Sequence, residues 1–126
     1  MTGPRGRQVL ATRAARDLSQ AIVFTTFPEV GEETDRAGFH AVASGAMLTR
    51  YGMDCYAYAL LAAGQVDLVI EAGLAAYDIQ APIAVVQAAG GIVTDWRGGP
   101  VHEGGRAVAA ANARIHAQAL AILQGY

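Results

Sequence analysis

Residues 66–95, VDLVIEAGLAAYDIQAPIAVVQAAGGIVTD, read as a strand, a helix and a second strand in succession. Val66, Leu68 and Ile70 alternate with Asp67, Val69 and Glu71, the period of two that sends side chains to opposite faces of a strand. A short link over 72–77 contains Gly73. Asp78 to Ala89 then reads as a helix, with Ile79, Ile83 and Val86 on a shared face and Gly90-Gly91 as its stop. Pro82 has to lie near the first turn, where a missing backbone donor costs little. Ile92 to Asp95 is the second strand. This order needs a sheet with helices laid against it and predicts an α/β fold, a layered sandwich with a mixed sheet flanked by helices.

Working outward, Ala21 to Phe27 carries Ile22, Val23 and Phe24 followed by two β-branched threonines, a strand ended by Pro28. Gln8 to Thr12 is a weaker candidate strand. Glu32 to Ser44 has acidic residues in its first turn and Phe39, Val42, Ala43 and Ala46 at helical spacing. Leu48 to Tyr51 reads as a short strand or a connector. Met53 to Ala63 is apolar nearly all round and predicts a buried helix, stopped by Gly64. Gly98 to Pro100 and Gly104-Gly105 mark turns, and Ala107 to Ala111 is a strand of small residues. Ala113 to Gln124 closes the chain as a helix with Ile115, Ala119, Ile122 and Leu123 facing in. The 126 residues suit one domain.

The composition is apolar, and its formal charge of −2 argues against a general nucleic-acid binder, which needs a basic surface. Arg5, Arg7, Arg13 and Arg16 form a local basic segment that reads as solvated surface. All nine basic residues are arginine, so Schiff-base lysine chemistry and a Walker-type lysine are excluded. Cys55, the only cysteine, can form neither an internal disulfide nor a cysteine zinc site. His40, His102 and His116 are too widely spaced for a histidine metal motif. No apolar run is long enough to span a bilayer, and no apolar segment follows the arginines at the N-terminus. A cytoplasmic protein is the expectation.

The chemistry is concentrated in residues 48–96. Glu71 at a strand end and Asp78 at the next helix start are placed as polar groups are at the clefts of α/β folds. A carboxylate there suits a hard cation such as magnesium. The same residues have plainer readings: Asp78 as a helix N-cap, Glu71 as a solvent-facing strand end, Asp54 as a first-turn charge. Spacing by itself favours the plain cap for Asp78.

Glu71-Ala-Gly-Leu-Ala-Ala-Tyr-Asp78, followed by Ile-Gln-Ala-Pro82 and Gln87-Ala-Ala-Gly-Gly91, resembles the second signature of the inositol-monophosphatase family. In that signature a Trp-Asp pair opens a helix ending in Glu-Ala-Gly-Gly. Tyr77 stands here for the tryptophan and Gln87 for the glutamate. The resemblance implies that Asp78 is a magnesium ligand, that Glu71 lines the substrate pocket, and that Gly52 opens a helix beside the substrate. Residues 49–58, TRYGMDCYAY, and 92–96, IVTDW, are similar to the family's histidinol-phosphatase branch. An acidic Asp54 would pair with the amine of histidinol, which a polyol pocket does not require. Arg50 could steer the substrate phosphate, hold Asp54 or Glu71, or form a structural ion pair. Glu32-Glu33 reads as a helix start, and Cys55, Tyr56 and Tyr58 as core.

The resemblance runs over essentially the whole chain but covers only the C-terminal half of a family member. The family's first signature, which supplies most of the metal ligands, has no counterpart here, and Asp17, Asp35 and Asp67 lack the matching neighbours. The implied activity is magnesium-dependent hydrolysis of a small phosphate monoester, histidinol phosphate first and an inositol or sugar phosphate second. The site should be incomplete without an N-terminal half or partner chain, and the chain alone inactive or nearly so. A non-catalytic binding or oligomerisation module is the competing reading. Apolar surface left open by the missing half should favour association into homo-oligomers.

Overall fold

Ile22–Thr25, Leu48–Tyr51, Leu68–Ala75, Ile92–Thr94 and Gly104–Ala110 form one sheet. The computed structural model describes residues 2–3, 6–7, 18–25, 33–51, 56–101 and 104–126. In chain order the elements are β1 (Thr2–Gly3), β2 (Gly6–Arg7), a single 3-10 turn (Leu18–Gln20), β3 (Ile22–Thr25), α1 (Glu33–Ala43), β4 (Leu48–Tyr51), α2 (Tyr56–Ala62), β5 (Leu68–Ala75), α3 (Ala76–Ala88), β6 (Ile92–Thr94), β7 (Gly104–Ala110) and α4 (Ala113–Leu123). β1 and β2 pair with each other. The main sheet runs β4-β3-β5-β7-β6, with β4, β3 and β5 parallel, β7 antiparallel to β5, and β6 antiparallel to β7. The expected mixed sheet is therefore present.

Both faces of the sheet are covered, because alternate residues of the central strands are apolar in both directions. Val23, Leu68, Ile70, Val108 and Ala110 join Phe39 and Val42 of α1 and Ile115, Ala119 and Leu123 of α4 in one core. Phe24, Val69, Ala107, Ala109 and Val93 join Ala57, Tyr58 and Leu61 of α2 and Ile79, Ile83 and Val86 of α3 in the other. Val66, expected on the face of Leu68 and Ile70, packs in the α2–α3 core. It precedes the strand, which starts at Leu68, so strand alternation does not apply to it. Tyr58 is core, as expected.

Asp67 ties three strands together, where β3 and β5 start and β7 ends. Its carboxylate accepts the Ile22 N–H at 2.9 Å. Its own N–H donates to the Ile22 carbonyl and its carbonyl accepts the Ala111 N–H. This aspartate is fully buried, and the Ile22 N–H takes the place of water at one of its carboxylate oxygens.

Three expectations are corrected. β5 continues to Ala75 and runs directly into α3, so 72–77 is not a link. Gly104-Gly105 is not a turn: Gly104 pairs with Ala75 and Gly105 with Leu74 inside the β5–β7 ladder. Gly105 has φ 90°, a conformation that glycine reaches cheaply. Pro82 is inside α3, beyond the first turn, because the helix begins at Ala76 rather than Asp78. The candidate strand at 8–12, the residues from Phe27 to Glu32, and the start of the helix predicted from Met53 lie outside the described residues.

Helix α4 starts on a side-chain cap. Asn112 has an extended backbone, and its Oδ1 accepts the Ile115 N–H at 3.0 Å. Asn112→Ala is expected to lower the unfolding free energy by about 1 kcal/mol, since a backbone donor loses its acceptor. Urea unfolding followed by circular dichroism measures this, and no shift of the midpoint would remove the capping role.

Candidate active site

Two of the candidate residues, Glu71 on β5 and Asp78 on α3, lie at the junction of these two elements. Glu71 is the last residue of β5 in regular register with β7, facing Ala107. The register then slips by one residue before Leu74 pairs with Gly105. Such a bulge bends a strand and re-aims the side chains beside it. Glu71 is 6% exposed, so it is not the solvent-facing strand end that spacing allowed. Thr25, fully buried at the end of the neighbouring β3, donates from Oγ1 to Glu71 Oε2 at 3.5 Å.

Asp78 is the third residue of α3. An N-cap precedes the first helical residue, so a plain cap at Asp78 loses its premise. The first turn is the positive end of the helix. Four residues on, Pro82 has no N–H, so the Asp78 carbonyl lacks the donor that an ordinary helical residue would supply.

Arg50 lies on the edge strand β4 and is exposed. β3 stands between β4 and β5, which separates their backbones by about 10 Å. No ion pair among the described residues joins Arg50 to Glu71, and Asp54, the other carboxylate it could hold, lies outside them. Gly52, Asp54 and Cys55 lie outside the described residues.

Among the described residues no cluster of three or more histidine, cysteine, aspartate or glutamate side chains could hold a metal. Magnesium takes near-octahedral oxygen coordination. The described residues do not make up such a shell. No described helix is long and apolar enough to cross a membrane.

A second polar region lies after β6. Asp95 Oδ1 accepts the N–H groups of Arg97 and Gly99, both at 2.8 Å, which closes a tight turn. Asp95, Trp96, Arg97, Pro100 and Arg106 line a hollow of about 220 Å³. Arg106 is held by Asp35, by the Tyr126 carbonyl and by the Trp96 ring, 4.5 Å from its centroid. These contacts hold the fold together, and the hollow shares no lining residue with the β5–α3 junction.

His116 on α4 meets Thr94 on β6, with Nε2 2.8 Å from the Thr94 hydroxyl. That hydroxyl donates its one proton to the Asp95 carbonyl at 2.7 Å, so His116 Nε2–H is the donor. Burial lowers the His116 pKa below its usual value. The unfolded chain therefore takes up the proton first as pH falls. Stability from this group is full above about pH 6.5 and declines as pH drops through the lowered folded value. Between pH 7.5 and 5.5 the wild type is expected to lose more stability than His116→Gln. Urea midpoints at both pH values check this, and equal losses would refute it.

A model of the Inositol monophosphatase family matches residues 2–126. The chain belongs to the inositol monophosphatase family. It is 42% identical to the bifunctional phosphatase IMPL2, chloroplastic, of Arabidopsis thaliana, over 91% of this chain and 36% of that protein. It is 34% identical to inositol monophosphatase 2 of Homo sapiens, over 95% of this chain and 46% of that protein. Among solved structures it superposes on an inositol monophosphatase from Zymomonas mobilis with a TM-score of 0.88 and 34% identity, covering 93% of this chain and 47% of that one. Mycobacterium tuberculosis SuhB gives a TM-score of 0.80 with 29% identity, covering 98% of this chain and 49% of that one. The chain thus spans less than half the length of these inositol-monophosphatase relatives. The α/β architecture read from the sequence is the family's fold.

Sequence reasoning missed Thr25 and Asp67 as partners of the strands, and the Trp96–Arg106–Asp35 set. Thr25 left one signal, a β-branched hydroxyl at the end of an apolar strand.

Proposed function

We propose that this chain forms one wall of a magnesium-dependent phosphomonoesterase site, with Asp78 as a metal ligand and Glu71 and Asp54 facing the substrate beside Gly52. The β5–α3 junction carries the reading: a buried carboxylate before a bulge, then an aspartate on the first turn of the helix that follows directly. Family membership supports phosphatase chemistry, and members of the family are generally magnesium-dependent. Asp78 would help hold a metal whose chemistry, when bound, would be to activate water and neutralise phosphoryl oxygens. This chain's own part is to present carboxylate oxygens at fixed positions. The remaining ligands come from a segment outside it, and the chain alone releases little phosphate.

For the substrate we propose histidinol phosphate, because an acidic Asp54 matches an ammonium group. Inositol or a sugar monophosphate is the rival, favoured by relatives that carry the inositol monophosphatase name. The test combines this chain with the first-half fragment of a family member and compares kcat/KM on both substrates. Asp54→Ala is expected to cost about 10- to 100-fold on histidinol phosphate alone, the worth of one charge-assisted hydrogen bond. A higher rate on inositol phosphate with no effect of Asp54→Ala would establish the rival. Association with further copies is also proposed. It is supported by Met47, Leu48 and Tyr51, large apolar side chains exposed at and beside the edge strand β4.

A further inference from the structure

We infer that Thr25 is a positioning residue for the Glu71 carboxylate, an inference that rests on Glu71 facing the substrate as proposed above. β3 and β5 are parallel, with Val23 opposite Leu68 and Phe24 opposite Val69. Their C-terminal ends therefore lie at the same end of the sheet, and that register carries Thr25 level with Ile70, one residue before Glu71 and the bulge that follows it. Thr25 is fully buried and Glu71 nearly so. Packing alone at such a position is met by valine, which has the same shape. A buried hydroxyl is favourable only with a partner, and Glu71 Oε2 is that partner.

The chemistry suits orientation. A β-branched side chain is stiff about χ1, and full burial removes its other rotamers. The hydroxyl therefore stays aimed at Glu71. Fixing one oxygen restricts rotation of the carboxylate and sets the direction from which its other lone pairs accept. The donors to be met are hydroxyl or ammonium groups on the non-phosphate part of the substrate. The separation of 3.5 Å is long for a hydroxyl–carboxylate bond. Hydrogen bonds in unliganded sites are often long and tighten when ligand arrives. Thr25 therefore acts on binding of the leaving group, and not on the phosphoryl step.

The test uses this chain with its complementing first-half fragment and measures KM and kcat for wild type, Thr25→Val, Thr25→Ser, Glu71→Gln and the Thr25→Val/Glu71→Gln double variant. Thr25→Val is expected to raise KM about tenfold, the worth of one hydrogen bond to a charged group, with kcat within about twofold. Thr25→Ser restores KM, and Thr25→Val adds nothing in the Glu71→Gln background. If Glu71→Gln raises KM and Thr25→Val does not, the inference is overturned and the pocket reading stands. If Glu71→Gln leaves KM unchanged, the pocket reading itself fails. If Thr25→Ser behaves as Thr25→Val, the methyl group and not the hydroxyl matters, which also overturns it. A measurement on the isolated chain needs no turnover. The Thr25 hydroxyl proton is expected to exchange slowly enough for detection by NMR, and to lose that protection in Glu71→Leu. Unchanged protection would assign the hydroxyl to another acceptor and overturn the inference.

Discussion

Asp78→Asn is expected to reduce magnesium-dependent phosphate release by the complemented enzyme on the order of 10³-fold. The substitution keeps the size of the side chain and removes the negative charge that a hard cation requires. Charge stabilisation by a bound metal is worth several kcal/mol in the transition state, and each ~1.4 kcal/mol is a factor of ten. Because Asp78 lies on the first turn of α3, folding should change little, by about 0.3–1 kcal/mol of helix-end electrostatics. Activity and urea unfolding are therefore measured together. Chelation of magnesium should bring the wild type down to the level of the variant. A variant that retains wild-type activity at saturating magnesium would remove Asp78 from the metal.

The largest effect on stability is expected from Trp96→Ala, a loss of about 3–5 kcal/mol. Trp96 is 2% exposed and packs in the core between the sheet and helices α1 and α4. Its indole N–H donates to the Ala107 carbonyl at 3.3 Å, and Arg106 stacks on its ring. Gly38 of α1 is shaped to this ring: a Cβ there would stand 2.7 Å from Trp96 Cζ3. Truncation leaves a cavity, an unpaired carbonyl and an unstacked guanidinium at one place. A domain of this size has about 5–15 kcal/mol of stability in total, so the variant is expected to be partly unfolded at room temperature. Trp96 is the only tryptophan, so circular dichroism has to follow the transition in both proteins. A loss below about 1 kcal/mol would contradict the packing described.

The elements legible in the sequence were those whose hydrophobic period is set by local neighbours. Leu68 to Ile70, Phe39 with Val42, and Ile115 with Ala119 and Leu123 show it, and each packs where its period predicts. Misreadings arose where a glycine or proline signal was overridden by long-range pairing. Gly73 suggested a link, yet the strand continues because β7 pairs beyond the bulge. Gly104-Gly105 suggested a turn for the same reason. Pro82 suggested a helix start, and tertiary packing of Ile79, Ile83 and Val86 carries the helix past it. In the candidate site, Glu71 and Asp78 stood out through resemblance, since spacing alone favoured a plain cap. The pairing of Thr25 with Glu71 could not be found, because the two lie 46 residues apart and are brought together by strand register. Arg106 and Asp35, 71 residues apart, are hidden for the same reason.

The direct passage of β5 into α3 makes the seven-residue interval from Glu71 to Asp78 a matter of angular phase. One residue added on the strand side turns the following side chains by half a revolution, to the opposite face. One added on the helix side turns Asp78 by about 100° around the axis. No loop lies between the two elements to absorb either rotation. A one-residue insertion or deletion at this junction is therefore expected to cost more than exchanging one side chain for another at constant length. A surface turn is expected to take the same change in length more cheaply, since rotation of the chain there carries neither Glu71 nor Asp78 with it.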